Sequence, residues 1–299
     1  MIPMNRQTHN KTLEVGLRQV LFQSFREKPE MWKQAFRMDT IDRASISDVA
    51  FTDFGPMQEG SEMGGYTYDA GTQGPTTTYT PSKYVKAFSL SEEVQEDDQN
   101  GLMRKYPAAM GRSIRHTLEA THWTHFNNGF DSNYPGADGK SFFATDHVLY
   151  GPGGGSQANK LSVAANLSAT AIEQAMTDIM LTTDDRGKFI NLQPKKIYVP
   201  AQLWGEARRI FGTSGEVGTG NNTINVVAGK LEVAVIPFLT STKAWFIECD
   251  THELWHIWRK RITTGQENDW DTDVFKFKSK GRWTSGWTAP WGWFASEGV

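Results

Sequence analysis

The stretch Ala244-Trp245-Phe246-Ile247-Glu248-Cys249-Asp250-Thr251-His252-Glu253-Leu254-Trp255-His256-Ile257-Trp258 admits two readings, and they lead to different folds. His252-Glu253-Leu254-Trp255-His256 fits H-E-x-x-H, in which two histidines on one helical face bind zinc and the glutamate activates its water. That chemistry needs a helix. The flanks, Trp245-Phe246-Ile247 and Ile257-Trp258, are aromatic and β-branched, which favours strand–turn–strand. On an extended strand, residues four apart lie about 13 Å from each other and cannot share one ion. No third histidine follows at the metzincin spacing, Glu267 is only a weak candidate ligand, and a motif with three fixed positions recurs by chance. The stretch is therefore read as two strands around a turn, with a zinc metalloprotease as the disfavoured alternative.

Of the 11 tryptophans, eight follow from position 245: 245, 255, 258, 270, 283, 287, 291 and 293. Indole is costly to leave in water and its N–H needs a partner, so these rings must enter a core, an interface or a ligand site. A carbohydrate-binding or tail-associated module, with exposed indoles as stacking platforms, is the rival that this concentration suggests. The 299 residues allow one large or two modest domains. Mean hydropathy is −0.51 and no long apolar run predicts a membrane-spanning helix. The start, Met1-Ile2-Pro3-Met4-Asn5, lacks a signal-peptide pattern. One cysteine, Cys249, forbids an intrachain disulfide and suits a reducing compartment. A balance of 31 Lys+Arg against 34 Asp+Glu, net −3, argues against a dedicated nucleic-acid binder.

From the start of the chain, Leu13, Leu17, Val20, Leu21 and Phe25 recur at helical steps; Pro29 interrupts, and Met31, Trp32, Ala35 and Phe36 are expected to resume the helix. Residues 46–90 turn to Gly, Thr and Tyr, with Gly64-Gly65, Gly74-Pro75, Tyr66, Tyr68, Tyr79 and Tyr84, the chemistry of a β-hairpin around a Gly/Pro turn. Few large aliphatics anchor it, and an isolated hairpin is marginal in water, so something outside it should hold it. A helix is expected from Pro107, at its first position, to Asn127-Asn128-Gly129. Ser168 should cap a helix with the stripe Ile172, Ala175, Met176, Ile179 and Met180, closed by Gly187. A strand at Lys196-Ile197-Tyr198-Val199 precedes a helix opened by Pro200, whose apolar side is Leu203, Trp204, Ala207, Ile210 and Phe211. A polar loop, 212–223, leads to strand-like Val233 and Val235, and Val274-Phe275-Lys276-Phe277-Lys278 alternates as a strand. Helices mixed with such strands give an α+β class.

Other chemical signals are weak. His122, His125 and Glu119 could form a metal face on the long helix, though a solvated face or an interface pair is the expectation. Cys249 beside Asp250 reads as a small buried side chain. Gly153-Gly154-Gly155 precedes no helix and offers no phosphate cradle. The run Arg259-Lys260-Arg261 reads as a solvated strand end. No catalytic, cofactor or metal residues are assigned. What survives is an amphipathic arm, a coreless hairpin and polar loops, whose ordering at about 1–2 kcal/mol per residue is offset only if subunits exchange them.

Phe142-Phe143-Ala144-Thr145-Asp146-His147, then Asn159, Leu161 and Leu167-Ser168, then Ile197-Tyr198-Val199-Pro200 with Leu203, Ala207 and Ile210, then Gly229, Leu231-Glu232-Val233 and Pro237, and finally Ala244-Trp245-Phe246-Ile247 with Asp250-Thr251, Leu254, Ile257 and Arg261, come in an order that resembles the major capsid proteins of tailed bacteriophages, of Hong Kong 97-type fold, and particularly the Mu-like major head subunits. The resemblance implies an N-terminal arm (1–45), an E-loop hairpin laid over a neighbouring subunit (46–92), a peripheral domain with its spine helix (93–165), an axial domain (166–243) and strands that return to the body (244–299). It implies a non-enzymatic protein that self-assembles into hexamers and pentamers of an icosahedral shell around the phage genome, assembled in the host bacterial cytoplasm and resident in the virion. Copies of itself are the main partner, with portal, scaffold and decoration proteins, non-specific proximity to packaged DNA, and no membrane. The inter-subunit contact candidates are Leu17, Phe25, Trp32, Tyr66, Tyr68, Tyr79, Tyr84, Thr213 and Glu216.

Overall fold

The computed structural model describes the chain from residue 6, with side chains from residue 15, apart from 61, 63, 67, 92, 95, 96, 98–100, 214, 216–224, 270, 272 and 273 and the side chain of 268. The elements are α1 (Arg6–Arg26), a 3-10 turn (Met31–Gln34), β1 (Arg37–Thr40), β2 (Ile46–Phe51), β3 (Gln73–Tyr79), β4 (Ser82–Leu90), α2 (Leu102–Asn127), β5 (His147–Val148), β6 (Ser156–Gln157) and α3 (Ala169–Met180). They continue with β7 (Pro194–Val199), a 3-10 turn (Ala201–Leu203), α4 (Trp204–Gly212), β8 (Glu232–Val235), β9 (Trp245–Cys249), β10 (Leu254–Asn268), β11 (Phe275–Trp287) and β12 (Trp293–Ser296). The mixed α+β class is as the sequence implies, and the chain divides into two compact units.

One unit comprises residues 1–46, 79–122 and 255–285. Its sheet has the order β1-β10-β11-β4, with β1 parallel to β10 (Arg37 opposite Trp255) and β11 antiparallel to β4 (Phe275 opposite Leu90, Trp283 opposite Ser82). Alternation along β11 turns Phe275 and Phe277 inward, where they meet Leu17 and Leu21 of α1 and Met110 and Ile114 of α2. The two helices approach so closely that a Cβ on Gly111 would lie 2.4 Å from the Leu21 carbonyl oxygen. A smaller cluster joins Ile41, Tyr79 and Ile257 with Ile46 and Trp255. The helix starts five residues before Pro107: Met103 packs into the cluster with Leu17 and Leu21, and its burial offsets the hydrogen bond that a proline inside the second turn removes. After Pro29 the expected helix is only a 3-10 turn, because Arg37 already pairs with Trp255 as strand.

The other unit comprises 47–78, 123–254 and 286–299. Its sheet runs β12-β9-β7-β8, with β7 parallel to β8 and antiparallel to β9, and β9 antiparallel to β12. Residues Ile172, Ala175 and Ile179 of α3 and Ala207, Ile210 and Phe211 of α4 enter one core with Ile197, Val199, Trp245, Ile247 and Phe294. Ser168 caps α3 as expected, accepting from the Ala171 N–H at 3.2 Å. Gly187 does not close that helix, which ends at Met180; it sits at φ +76 in a turn where the Asp184 carboxylate accepts from the Arg186 and Lys188 N–H groups. Trp204, expected on the apolar side of α4, is 56% exposed at the helix start.

A second aromatic group fills this unit. The Trp293 ring lies edge-on to Phe126 at 4.8 Å and tilted to Tyr198 at 5.4 Å, and Trp287 stacks on Phe142 at 5.1 Å. Asn159 ties the Phe142–His147 stretch together: its amide donates to the Phe142 carbonyl at 2.7 Å and its oxygen accepts from the Ala144 N–H at 2.9 Å. His147 Nδ1 meets Asp138 at 2.5 Å.

Candidate functional site

The hairpin comes first because its side chains lie in water. β2 and β3 form a two-stranded sheet closed by the long loop 52–72. Gly74-Pro75, expected in the turn, lies within β3, where a two-stranded sheet has only edges and tolerates a proline. Tyr66 and Tyr68 lie in the loop, not in strands. The base is closed by Thr52 and Thr72, the Thr52 N–H donating to the Thr72 carbonyl at 3.0 Å and the Thr72 N–H to Thr52 Oγ1 at 2.8 Å. The holder that the hairpin needs is a residue the sequence reading missed. Arg186 donates to the Ala70 carbonyl at 2.7 Å and pairs with Asp69 at 3.2 Å. Asp69 in turn accepts from the Gly55 N–H at 2.6 Å, and that bond with the Arg186 guanidinium holds its carboxyl below the usual range. Beyond this clasp Phe51, Phe54, Met57, Tyr66 and Tyr68 are 71, 66, 100, 92 and 94% exposed. Soluble monomers rarely expose so many large apolar side chains in one segment.

The other contact candidates divide differently. Leu17, Trp32 and Tyr79 are buried within the subunit, Phe25 and Tyr84 are half-buried, and Tyr84 stacks on Trp283 at 3.9 Å. Thr213 is exposed and Oγ1 donates to the Arg209 carbonyl at 2.5 Å. Glu216 lies outside the described residues.

The suspected polar face of the long helix is instead interior at Glu119 and His122, whereas His125 is half-buried. Glu119 is 2% exposed, and its carboxylate accepts from the Met31 N–H at 2.7 Å and the Trp32 N–H at 3.1 Å, which closes the start of the 3-10 turn. His122 is fully buried, stacks on Trp32 at 4.3 Å, and shares a 2.6 Å hydrogen bond from Nε2 to His256 Nδ1. Its Nδ1 lies 2.5 Å from the Leu118 carbonyl, so Nδ1 carries the proton. His122 Nε2 is then the acceptor, His256 Nδ1 the donor, and His256 Nε2 a buried atom with no hydrogen-bond partner. Burial, then His122, Arg261 and Lys33, push the His256 imidazole down to about 2. The expectation of a solvated face fails because the bulk of Trp32, three-quarters of the chain away from His256, covers it.

The H-E-x-x-H motif forms no helix. His252 lies in the turn and β10 begins at Leu254, as the flanks require. His252 Nδ1 accepts from the Leu254 N–H at 3.3 Å and Nε2 lies 3.4 Å from Glu248, whereas His256 bonds His122. Glu248 also accepts from the Tyr198 hydroxyl at 2.5 Å, and burial beside that carboxylate raises the Tyr198 phenol above its usual range. Among the described residues no three His, Cys, Asp or Glu side chains are placed to hold a metal ion. Cys249 is buried as expected, and burial, with Asp250 and Glu248 adding to it, pushes its thiol up to about 12, far from a nucleophile. Of the eight tryptophans offered as stacking platforms, Trp245 is buried in the core with Ile197 and Ile247, and Trp258, Trp283, Trp287 and Trp293 are buried in the aromatic groups around Phe126 and Phe142 and around His256 and Tyr84; Trp255 and Trp291 are half-buried, and Trp270 lies outside the described residues.

The model of the family described as phage capsid protein matches residues 74–296. No curated protein sequence matches the chain. Among solved structures, the chain is similar to the capsid of the cyanophage P-SCSP1u (TM-score 0.61, 10% identity, 90% of this chain and 88% of that one). It is similar also to the capsid of bacteriophage JBD30, decorated with minor capsid protein trimers (0.57, 15%, 71% and 92%), and to a virus-like particle from Pyrococcus furiosus (0.53, 8%, 94% and 97%). These likenesses give the fold as Hong Kong 97-type, and fold and family alike point to a structural, non-enzymatic component of the virion capsid. The chain belongs to the phage capsid protein family, and its function is that of a major capsid protein.

Proposed function

We propose that copies of this chain assemble into hexameric and pentameric capsomers of an icosahedral shell enclosing a phage genome, and that the loop 52–72 is the part each subunit lays on its neighbour. The observation that carries this is the exposure of Phe51, Phe54, Met57, Tyr66 and Tyr68 beyond the Arg186–Asp69 clasp. In this reading residues 1–45 are the arm, 46–92 the E-loop, 93–165 the peripheral domain with α2 as spine, 166–243 the axial domain and 244–299 the returning strands. Thr213 and Glu216 then stand near the capsomer axis. The order of motifs from Phe142 to Arg261 supports a place near the Mu-like head subunits. Portal and scaffold proteins complete the set of partners, and a decoration protein is favoured by the minor-protein trimers on the JBD30 capsid. Assembly takes place in the host bacterial cytoplasm.

The test replaces 57–68 with a short Gly-Ser linker. Wild-type protein should give closed particles in electron micrographs, and the variant a folded subunit that gives none. Normal particles from the variant refute the role of the loop, and a wild type that stays small and monodisperse under every assembly condition refutes the shell.

A further inference from the structure

The outward face of β4 and β11 carries a feature that the fold does not use. Along β11, Lys276, Lys278 and Lys280 alternate outward from buried Phe275, Phe277 and Ser279, and half-buried Arg282 continues the row. The register sets Lys83 of β4 directly across from Arg282, Val85 across from Lys280 and Ala87 across from Lys278. Alternate residues on a strand stand about 6.7 Å apart and cross-strand neighbours about 5 Å, so these cations crowd one another. Lys276 has an acid partner, Asp269. Among the described residues no ion pair reaches Lys83, Lys278, Lys280 or Arg282. Between the cations lies an apolar strip, Val85 at 63% exposure with Ala87 beside it.

The loop 52–72 is the complement of that face. It holds Asp53, Glu59, Glu62 and Asp69 and no lysine or arginine. Asp69 and Asp53 are met by Arg186 and Lys188 in their own unit, whereas Glu59 and Glu62 are exposed and meet no cation among the described residues. Around those two carboxylates stand the bare apolar side chains of Phe54, Met57, Tyr66 and Tyr68.

We propose that the Lys83–Lys278–Lys280–Arg282 face is the seat for the Glu59/Glu62 loop of a second copy of this chain, the carboxylates answering the cations and the aromatic side chains covering the Val85–Ala87 strip. The proposal rests on the shell reading and names the surface that receives the loop. Like-charge juxtaposition in an interface is strongly disfavoured, so charge reversal is the probe. E59K/E62K and K278E/K280E should each lower closed-particle yield about tenfold or more at physiological salt, and the four changes together should restore it to within about threefold of wild type. Circular dichroism and thermal melting should show all three folded, since every changed side chain lies in water. Oxidation of E62C/K280C in assembled protein should give a ladder of covalent multimers on a non-reducing gel, because Cys249 is buried.

Lack of rescue in the combined variant overturns the pairing, as does a crosslink that stays within single chains. Normal particles from K278E/K280E that retain less DNA overturn it too, and assign the face to the phosphate backbone. A wild type that forms no shells refutes the shell reading alone; rescue and crosslink, read in whatever oligomer forms, still decide the pairing.

Discussion

Acid should weaken this subunit through one buried imidazole. His256 is enclosed by Trp32 and Trp258, each with its ring centroid 4.5 Å away, and gives its Nδ1 proton to His122. In the unfolded chain the imidazole protonates below about 6.5. In the folded subunit burial beside His122, Arg261 and Lys33 holds it neutral down to about 2. Below pH 6.5 the unfolded state therefore binds the extra proton, and stability is full above that value and falls as the pH drops toward 2. The slope is about 1.36 kcal/mol per pH unit for one proton, which makes a loss of about 2 kcal/mol between pH 8 and pH 5. The chain holds six other histidines, so the informative quantity is a difference between variants. Asparagine at 256 keeps a donor near the place of Nδ1 and does not titrate. H256N should be less stable than wild type at pH 8 by about 1–3 kcal/mol, for the lost ring volume, and the gap should close at pH 5. Urea unfolding of the unassembled subunit at fixed protein concentration measures both. Parallel pH profiles for wild type and H256N would refute the reasoning.

Three further outcomes follow from the same geometry. E119A strands the Met31 and Trp32 N–H groups in the interior and should lower stability by about 2–4 kcal/mol, with faster tryptic cleavage at Arg26 and Lys33 as the local readout. G111A improves helix propensity by at most about 1 kcal/mol but drives a methyl into the Leu21 carbonyl; a net loss of about 1–3 kcal/mol in thermal unfolding is expected, and a gain would show that α1 yields. Iodide should quench a part of the tryptophan emission that W204F removes, whereas W293F should leave the quenchable part unchanged, since Trp204 is 56% and Trp293 2% exposed.

The strand–turn–strand at 245–258, the Ser168 cap and the α3 stripe were all legible because alternation, capping and helical spacing are written within a few residues of one another. The misreadings share a cause. Pro107, Gly74-Pro75 and Gly187 carry strong local preferences that contacts far along the chain overrule: Met103 in a cluster with Leu17, the edge position of β3, and Asp184 closing its own turn. His122 looked solvent-facing because nothing near it in sequence announces Trp32 or His256. Arg186 gave no signal at all, since one arginine in a polar loop is unremarkable until Ala70 and Asp69 arrive beside it. The alternation of β11 marks a strand in the sequence, but the charge on its outer face becomes a surface only with the register to β4.

The exposed loop also bears on how the protein survives before it has partners. Phe51, Phe54, Met57, Tyr66 and Tyr68 meet water from the moment the subunit folds, next to a two-stranded ribbon whose edges can accept another strand. A run of that hydrophobicity in unbroken β-prone sequence would invite stacking into fibres. Here Gly55-Pro56, Gly60, Gly64-Gly65 and Gly71 break every window, and Asp53, Glu59, Glu62 and Asp69 stand at intervals through it. These residues act as gatekeepers: they keep the most adhesive part of the molecule from pairing with the wrong strand during the interval in which it has not yet met the right one.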